Sequence, residues 1–429
     1  MKKSTLDRIR RRVNAEIDKL GSEDSPDSID ELEDLALRLR QRAGEIAAEE
    51  MSRELAGESE EPSQKEACSC GRWARFKGEH EHQVVTMSGT ARISRRYYYC
   101  RRCDAGFCPG DRRLGCVGTS FSLRVRQETA RLSSLASSHK LSVELLYDLA
   151  GVSVSESQAQ RIVAEAGVWA NCLFDERRDA ALTDLSVSKL GQSPSVLYLE
   201  ADGVLTPTVT GYKETKIGVA LASDEKGTIL SQGYTSHLGN CEEFGEHWYA
   251  LARRFGLSNA GRVVILGDGA KWLWNQADHH FPKALQIVDF WHVMEHLGGL
   301  ARAAFGEGTV KAREWLAERG QELRSSAIDS VLSSLRALAE RLPALLEQVI
   351  GELDYLISNR KRMDYARYLE MGLRIGSGAV ESACKRLVSL RLKGPGMRWR
   401  QQTAQTIARL RCLFYSGEWQ DLRTRWQAA

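Results

Sequence analysis

The sequence predicts a mixed α/β protein built around an α/β core, and three observations carry this prediction. Apolar runs that are typical of strands alternate with helical stretches over residues 190–295. The segment from Val293 to about Met371 is almost wholly helical. Six of the ten cysteines fall between Cys68 and Cys116, ahead of both regions. A chain of 429 residues is too long for one ordinary hydrophobic core, so we expect several domains.

Composition favours a globular cytoplasmic protein with no membrane partner. Hydrophobic residues make up 42% and charged residues 27% of the chain, as in soluble domains. No apolar run reaches the roughly 18 residues of a membrane span, and the basic N-terminus lacks the apolar segment of a secretory signal. The net charge of +3 hides a segregation of charge, because residues 382–413 hold eight Lys and Arg and no acid. Such a stretch is frequent in nucleic-acid-binding proteins, although a solvated basic face is the alternative.

Residues 1–66 are predicted to form a polar helical N-terminal arm. Ala, Leu, Glu and Arg dominate from Ile29 to Glu58, and the Gly-Ser-Glu-Asp-Ser-Pro stretch at 21–26 predicts a break. The segment carries no chemical motif. We expect a loosely attached arm that is available for self-association.

Residues 67–113 are predicted to form a zinc-ribbon-like module. Clustered cysteines in a cytosolic protein indicate metal rather than disulfides. Between the cysteine pairs, residues 83–99 alternate like a hairpin with its turn at Ser88-Gly89. Two such pairs on a hairpin predict a structural Zn²⁺ held by four thiolates. The expected ligands are Cys68, Cys70, Cys100 and Cys103. The first pair encloses one residue rather than the usual roughly two to four, so Cys108, His80 or His82 stays open as a substitute, and free thiols are the alternative.

Residues 114–189 are predicted to form a helical DNA-binding domain with a helix-turn-helix near 141–165. An apolar helix ends at Gly151, where glycine permits the turn, and Ser153 or Ser155 can cap a second helix. That helix would direct three polar side chains into a DNA major groove. They are Gln158, Gln160 and Arg161. An ordinary helical hairpin is the alternative.

Residues 190–295 are predicted to form the first part of the α/β core. Strands are expected near 195–201, 206–222, 227–236, 262–267 and 284–290, with helices near 240–256 and 271–280. Short turns join the first three strands, so they should form an antiparallel meander, whereas helices separate the last two, which should add in parallel. This is the ribonuclease H-like arrangement.

A helical insertion at 296–372 then interrupts the core, whose second part and basic tail occupy 373–429. One apolar face at helical spacing marks the insertion. It is formed by Leu332, Leu335, Leu338, Leu342, Leu345 and Leu346.

Three carboxylates are the candidate catalytic residues. Asp202 and Asp268 each end an apolar run and precede a glycine, and Glu381 lies at the start of a predicted helix. Two ions held by such oxygens can clamp the attacking and leaving oxygens of a phosphodiester. Taken singly, an Asp-Gly pair is more often a turn, and Glu381 with Lys385 is compatible with a surface ion pair. The combination in one α/β region is more specific than any member.

With these residues in place, the chain resembles the DDE transposases of bacterial insertion sequences, in particular the ISKra-like group with its Mutator-like core. The resemblance covers roughly residues 67–415. It is carried by Glu200-Ala-Asp202-Gly203, Gly267-Asp268-Gly269-Ala270-Lys-Trp272, Asp289-Phe-Trp-His292, Gly376-Ser-Gly378-Ala-Val-Glu381-Ser382 and Lys393-Gly-Pro-Gly-Met-Arg-Trp399.

The resemblance implies a transposase that binds the ends of its element and catalyses DNA cleavage and strand transfer. Asp202, Asp268 and Glu381 would hold two Mg²⁺ (or Mn²⁺) ions, with Asp289 and His292 as supporting residues. The expected partners are double-stranded DNA, as terminal inverted repeats and target, and further copies of the chain in a homo-oligomer. The implied location is the bacterial cytoplasm, in association with the nucleoid.

The helix of Glu381 runs into a basic segment that we predict to contact DNA. Lys and Arg there would neutralise phosphates, and a tryptophan would stack on an unpaired base. The residues are Lys385, Lys393, Arg398, Trp399 and Arg400. Packing of Trp399 into the core is the alternative.

Two other classes of protein compete with the transposase. His292-Val-Met-Glu295-His296 matches the H-x-x-E-H pattern of zinc peptidases, which is short enough to occur by chance. A non-catalytic DNA-binding regulator derived from a transposase needs only the zinc and helix-turn-helix modules. The three carboxylates argue against it. Glu200 and Asp289 compete as carboxylate ligands but lack a glycine neighbour, so a supporting role is expected for both.

Overall fold

The computed structural model describes residues 2–20, 26–56, 63–184 and 188–427. The chain is a mixed α/β protein that divides into two compact units, Met1–Val163 and Ala164–Ala429. Unit 1 contains a four-stranded sheet and unit 2 a five-stranded sheet. In the described part of the chain, every helix is too short or too polar to cross a membrane.

Unit 1 begins with two helices, continues through the small sheet and ends in helices. The helices are α1 (Lys3–Leu20), α2 (Ile29–Ala56), α3 (Gly110–Leu114), α4 (Leu123–Leu135), α5 (His139–Ala150) and α6 (Glu156–Leu182), the last of which continues into unit 2. The strands are β1 (Lys65–Ala67), β2 (Trp73–Thr86), β3 (Gly89–Cys100) and β4 (Ala105–Phe107), which pair antiparallel in this order.

The N-terminal helices are packed into unit 1, so the expectation of a loosely attached arm is wrong. Ala48 of α2 is buried in a cluster with Val84, Ala91 and Ile93 of the β2–β3 hairpin. Helix α1 is attached to α2 by ion pairs. Arg8 and Arg12 of α1 both contact the buried carboxylate of Glu50 on α2. A few buried positions in the C-terminal half of α2, such as Ala48, are enough to attach this polar helix to the hairpin. The predicted break at 21–26 falls mainly on residues outside the described ranges.

The hairpin of unit 1 confirms the alternation seen in the sequence. Thr86 pairs with Gly89, so the turn lies at Met87-Ser88, one residue from its predicted position. The second predicted turn is also confirmed, since α5 ends at Gly151 in the left-handed conformation with φ 67°. Ser155, not Ser153, then caps α6, and its Oγ accepts the N–H of Gln158 at 3.3 Å.

Unit 2 is built on a sheet with the order β7-β6-β5-β8-β9. Its strands are β5 (Val196–Thr208), β6 (Gly211–Ser223), β7 (Ile229–Leu238), β8 (Arg262–Gly267) and β9 (Leu285–Val288), with α7 (Cys241–Arg254) and α8 (Lys271–His280) between them. The first three strands are antiparallel. Strand β8 then pairs in parallel with β5, and β9 pairs in parallel with β8. The predicted meander with two parallel additions is therefore confirmed.

The first strand of unit 2 is longer than predicted. Asp202 does not end it, because β5 stays paired with β6 as far as Thr208, and the turn falls at Val209-Thr210. Asp and Gly favour turns, and this preference led to the early boundary. Tertiary pairing overrides it here, with the hydroxyls of Thr206 and Thr215 hydrogen bonded across the two strands at 2.7 Å.

The predicted insertion is helical throughout its main elements, but its leucine face is broken. The helices are α9 (Phe290–Phe305), α10 (Val310–Arg324), α11 (Ile328–Arg341), α12 (Leu346–Asn359) and α13 (Tyr365–Glu370). Leu332, Leu335 and Leu338 are buried on α11, whereas Leu346 starts the next helix and is exposed. Pro343 opens a short 3₁₀ turn between the two, because proline cannot donate within a helix.

The chain ends with helices that cover unit 2. They are α14 (Gly378–Cys384), a π-helical turn (Lys385–Ser389), α15 (Leu390–Leu392), α16 (Gln401–Tyr415) and α17 (Trp419–Gln427). The predicted helix start before Glu381 is confirmed, and Ser377 occupies the N-cap position. The main chain of Trp399 forms a bridge with the end of β5, where its N–H donates to the carbonyl of Pro207 at 3.1 Å.

Candidate functional site

Asp202 and Asp268 lie at matching positions on the neighbouring parallel strands β5 and β8. The parallel register of these two strands ends at Glu200 and Leu266, and each aspartate lies two residues beyond that last pair. The register of the sheet alone therefore brings together Asp202 and Asp268, which are 66 residues apart in the sequence. The pKa of Asp202 is raised, mainly by burial and further by the negative charge of Asp268.

Main-chain donors fix one oxygen of each aspartate. Oδ1 of Asp202 accepts the N–H of Gly203 at 2.6 Å, and Oδ1 of Asp268 accepts the N–H of Ala270 at 2.9 Å. The carbonyl of Asp268 accepts the hydroxyl of Tyr355 from α12 at 2.7 Å. Gly269 has φ 101°, and a Cβ there would lie 2.6 Å from the Tyr355 ring. Only glycine therefore fits after Asp268.

The helix that carries Glu381 contacts Asp202 through a residue that the sequence analysis missed. The buried thiol of Cys384 donates to Oδ2 of Asp202 at 3.6 Å. Burial raises the pKa of Cys384, so the group stays a protonated donor. Glu381 lies one turn earlier on α14 and is exposed. The i,i+3 spacing of Glu381 and Cys384 is the one sequence signal that could have found this contact.

Two further carboxylates hold the start of α14. Oε2 of Glu200 accepts the N–H of Val380 at 2.8 Å. Oδ2 of Asp289 accepts both the N–H and the hydroxyl of Ser377, at 2.8 and 2.5 Å. Both acids are buried, and burial raises the pKa of Glu200 to about 7. Both carboxylates thus position α14, and their supporting role at the proposed ions stays a prediction.

The three candidate carboxylates do not form a preassembled ion cage. Within the described ranges, the four cysteines of unit 1 are the one group of three or more ligand side chains that lie close enough together to share an ion. The negative charge of Asp268 opposes ionisation of Asp202, and the side chain of Glu381 is exposed. Binding of Mg²⁺ by these carboxylates stays a prediction.

The cysteine cluster fits a metal such as zinc. Sγ of Cys68 lies 3.7 Å from that of Cys103, and Sγ of Cys70 lies 3.7 Å from that of Cys100. All four sulfur atoms lie within 4.8 Å of one another. Zn–S bonds of about 2.3 Å at tetrahedral angles separate sulfurs by about 3.8 Å. The short first pair is therefore compatible with a four-cysteine site.

The substitute ligands considered for the first pair take no part in this cluster. Nε2 of His82 lies 3.1 Å from the carbonyl of Thr119, and His80 stacks on Tyr97. Cys108 is outside the group, in the wall of a neighbouring cavity of about 680 Å³. The pKa of Cys68 is lowered, first by the main-chain N–H of Cys70, which favours the thiolate that binds metal.

The H-x-x-E-H motif does not have the surroundings of a peptidase site. His292 and His296 meet on one face of α9, but Glu295 is 81% exposed and its carboxylate lies 3.8 Å from Nδ1 of His292. No third ligand joins the two imidazoles among the residues that the structure covers. The peptidase alternative therefore gains no support.

Two of the three predicted DNA-reading residues on α6 are available to a partner. Gln160 and Arg161 are exposed in the first turns of the helix. Oε1 of Gln158 instead accepts the N–H and hydroxyl of Ser155, both at 3.0 Å. Together with the Ser155 cap, these hydrogen bonds form a reciprocal capping box. The side chain of Gln158 therefore caps the start of α6.

Burial divides the basic C-terminal segment into two groups. Arg391, Arg409 and Arg411 are 1%, 4% and 2% exposed and belong to the interior of unit 2. The predicted DNA contacts Lys385, Lys393, Arg398 and Arg400 are exposed. Lys393 and Arg398 line a cavity of about 390 Å³ beside the β5–β6 turn.

The side chain of Trp399 makes contacts within unit 2. Its indole N–H donates to the carbonyl of Leu392 at 2.9 Å, and the Arg391 guanidinium lies 4.9 Å from its ring centre. The residue is half-buried. This favours the packing alternative for at least one face of the ring, and stacking on a base stays a prediction.

These observations define a two-unit α/β protein with a four-cysteine cluster in one unit and an aspartate pair in the other. The chain belongs to the uncharacterised protein family UPF0236, whose model matches residues 27–427. The match takes in both units, including the cysteine cluster and the aspartate pair. No curated protein shows significant similarity to the chain.

Proposed function

We propose that this chain is a DDE-type transposase, with a ribonuclease H-like unit 2 that cleaves DNA and joins the freed 3′ ends to target DNA. The observation that carries the proposal is the register of Asp202 with Asp268 on parallel neighbours β5 and β8, with the helix of Glu381 held against Asp202 through Cys384. The strand order, with three antiparallel strands followed by two parallel ones, supports the proposed core.

In this proposal Asp202, Asp268 and Glu381 hold two Mg²⁺ or Mn²⁺ ions. The donors fit, because hard cations take carboxylate oxygens and because a cation offsets the burial and the negative charge of Asp268, which raise the pKa of Asp202. When bound, such ions activate water or a 3′-OH and stabilise the oxygens of the phosphodiester. The chain itself fixes the carboxylates, through main-chain N–H groups at both aspartates and through the Glu200 and Asp289 anchors of α14.

Binding of double-stranded DNA completes the proposal. The exposed Gln160 and Arg161 on α6 would contact the terminal inverted repeats, and the exposed lysines and arginines of the 385–400 segment would neutralise phosphates. The four-cysteine cluster would hold structural Zn²⁺ in the module that supports this binding. Because two ends must be joined, a homo-oligomer on DNA is part of the proposal, as is a place at the nucleoid.

The test is a cleavage assay on DNA that flanks the protein's own gene. Asp202→Asn, Asp268→Asn and Glu381→Gln should each abolish Mg²⁺-dependent cleavage while end binding in a gel shift is unchanged, since each variant removes a ligand charge and keeps the side-chain volume. Asp354→Asn, an exposed aspartate on α12, is the matched control and should cleave normally. Cleavage by Asp268→Asn at the wild-type rate would overturn the assignment. Specific binding without cleavage by the wild type would indicate the regulator instead.

A further inference from the structure

The imidazoles of His292 and His296 form a pair in which only His292 has a place in the proposed chemistry, as a supporting residue. They lie one helical turn apart on α9, and their Nε2 atoms are 3.2 Å from each other. Both side chains are about one-third exposed, so solvent reaches the pair.

Carboxylates back both rings from the opposite side. Nδ1 of His296 lies 2.8 Å from Oε2 of Glu352 on α12, and Nδ1 of His292 lies 3.8 Å from Oε2 of Glu295. The carboxylate of Glu352 keeps a proton on Nδ1 of His296, so Nε2 of His296 accepts the hydrogen bond from Nε2 of His292. An ion that binds both Nε2 atoms replaces this hydrogen bond, and the His292 proton moves to its own Nδ1, which faces Glu295.

The orientation of His296 is fixed a second time by stacking. Its ring lies 4.5 Å from the ring of Tyr355 at an interplanar angle of 11°, and the Tyr355 hydroxyl is itself bonded to the carbonyl of Asp268. Of the two rings, His296 is thus held from two directions, and it can bind a ligand without a large loss of side-chain freedom.

The spacing of the nitrogens matches one divalent transition-metal ion. Zn–N bonds of about 2.0–2.1 Å at the tetrahedral angle separate two nitrogens by about 3.3–3.4 Å, and a right angle by about 2.9 Å. The observed 3.2 Å lies between these values. Imidazole is a ligand for Zn²⁺, Cu²⁺ and Ni²⁺, whereas Mg²⁺ and Ca²⁺ prefer oxygen.

We propose that His292 and His296 form a transition-metal site, with Nε2 of each as a ligand, Glu352 as the partner that orients His296, and water in the remaining positions. The site is separate from the four-cysteine cluster and does not depend on the proposed transposase function. With two protein ligands it should be weaker than the thiolate site, so dialysis would empty it while the cysteines keep their zinc.

Equilibrium dialysis of the full chain against ZnCl₂ in the presence of MgCl₂, with zinc counted by atomic emission, tests the proposal. The wild type should bind one zinc per chain beyond the dialysis-resistant one. His292→Ala and His296→Ala should each lose this additional zinc and keep the first. Glu352→Gln keeps both ligands and should weaken the affinity for the additional zinc by about 10- to 100-fold.

His279→Ala removes an exposed histidine on α8 and is the matched control; it should bind zinc as the wild type does. Circular dichroism of each variant monitors folding, and His296→Gln, which preserves much of the side-chain volume, replaces His296→Ala if the latter does not fold. Absence of an additional zinc in the wild type would overturn the proposal. Retention of that zinc by both histidine variants would overturn it equally.

Discussion

Burial separates the charged residues of unit 2 into those that hold the fold and those that face solvent. Arg391, Arg409 and Arg411 are interior, although the sequence gives them the same appearance as the exposed Lys393 and Arg398. Only contacts between distant parts of the chain distinguish the two groups of residues. Arg411, for example, donates to the main-chain carbonyl of Arg386. A count of basic residues therefore overstates the surface available to DNA.

Glu418 is the most strongly paired acid of unit 2. It is 7% exposed, and its carboxylate contacts Arg177, Arg254 and Lys189 at 2.8, 2.8 and 2.9 Å. Burial acts to raise the pKa of Glu418, but Arg177 and Arg254 outweigh it and lower the pKa to about 2. This contact joins α17 to α6 and α7.

We predict that Glu418→Gln destabilises unit 2 by about 3 kcal/mol at pH 7. Because the folded-state pKa lies below the ordinary 4.5, the carboxylate stabilises the fold above about pH 4.5. The stabilisation is lost as the pH falls from there through about 2. Thermal unfolding across pH 2–8 should show the deficit at neutral pH and its disappearance in acid. Glu370→Gln, on an exposed residue, is the control, and a deficit independent of pH would contradict the ion-pair account.

At the scale of elements, the short helix α14 depends on contacts outside itself. A helix of seven residues is marginal alone, and here Glu200 and Asp289 accept its first donors. The position of Glu381 is therefore set by β5 and by the N-cap residue of α9 rather than by helix propensity.

Asp289→Ala should loosen α14 selectively. Each buried donor left without an acceptor costs about 1–3 kcal/mol, and the N–H and hydroxyl of Ser377 both lose theirs. Hydrogen exchange should accelerate over Ser377–Cys384 more than in β5. Asp354→Ala, at an exposed position on α12, should leave this exchange unchanged. Wild-type exchange in Asp289→Ala would show that the helix does not need the anchor.

The elements themselves were largely predictable, but their ends and partners were not. Apolar runs that alternate with helical stretches predicted all five strands of unit 2, and the turn at Gly151 is in place. The end of β5 was misplaced because Asp202-Gly203 has turn propensity while the strand pairs through it. The contact of Tyr355 with Asp268 joins residues 87 apart, and no local pattern indicates it.

At the scale of the whole molecule, each unit has its own candidate site. The cysteines of unit 1 converge because two segments 30 to 35 residues apart are brought together by one hairpin. Hairpin register is readable from the sequence, so all four ligands could be predicted. The core around them is small, with Ala74, Tyr98 and Cys100 buried, and a metal would supply much of its stability.

We predict one tightly bound zinc per chain after dialysis. Cys100→Ser combined with Cys103→Ser should lose that zinc and make residues 67–113 sensitive to protease, because two thiolates cannot close the site. Cys172→Ser, on α6 and outside the cluster, is the control. Zinc content by atomic emission and limited proteolysis give the two measurements. A double variant that keeps both its zinc and its resistance would contradict the four-cysteine site.

The proposed function requires the aspartate pair of unit 2 to perform phosphoryl transfer on DNA. A strand-transfer assay tests this directly: precleaved element ends with a free 3′-OH are incubated with a plasmid target and Mg²⁺. We expect covalently joined products with the wild type and none with Asp202→Asn or Asp268→Asn, although all three proteins bind the ends. Joined products from Asp268→Asn, or bound ends that the wild type never joins, would contradict it.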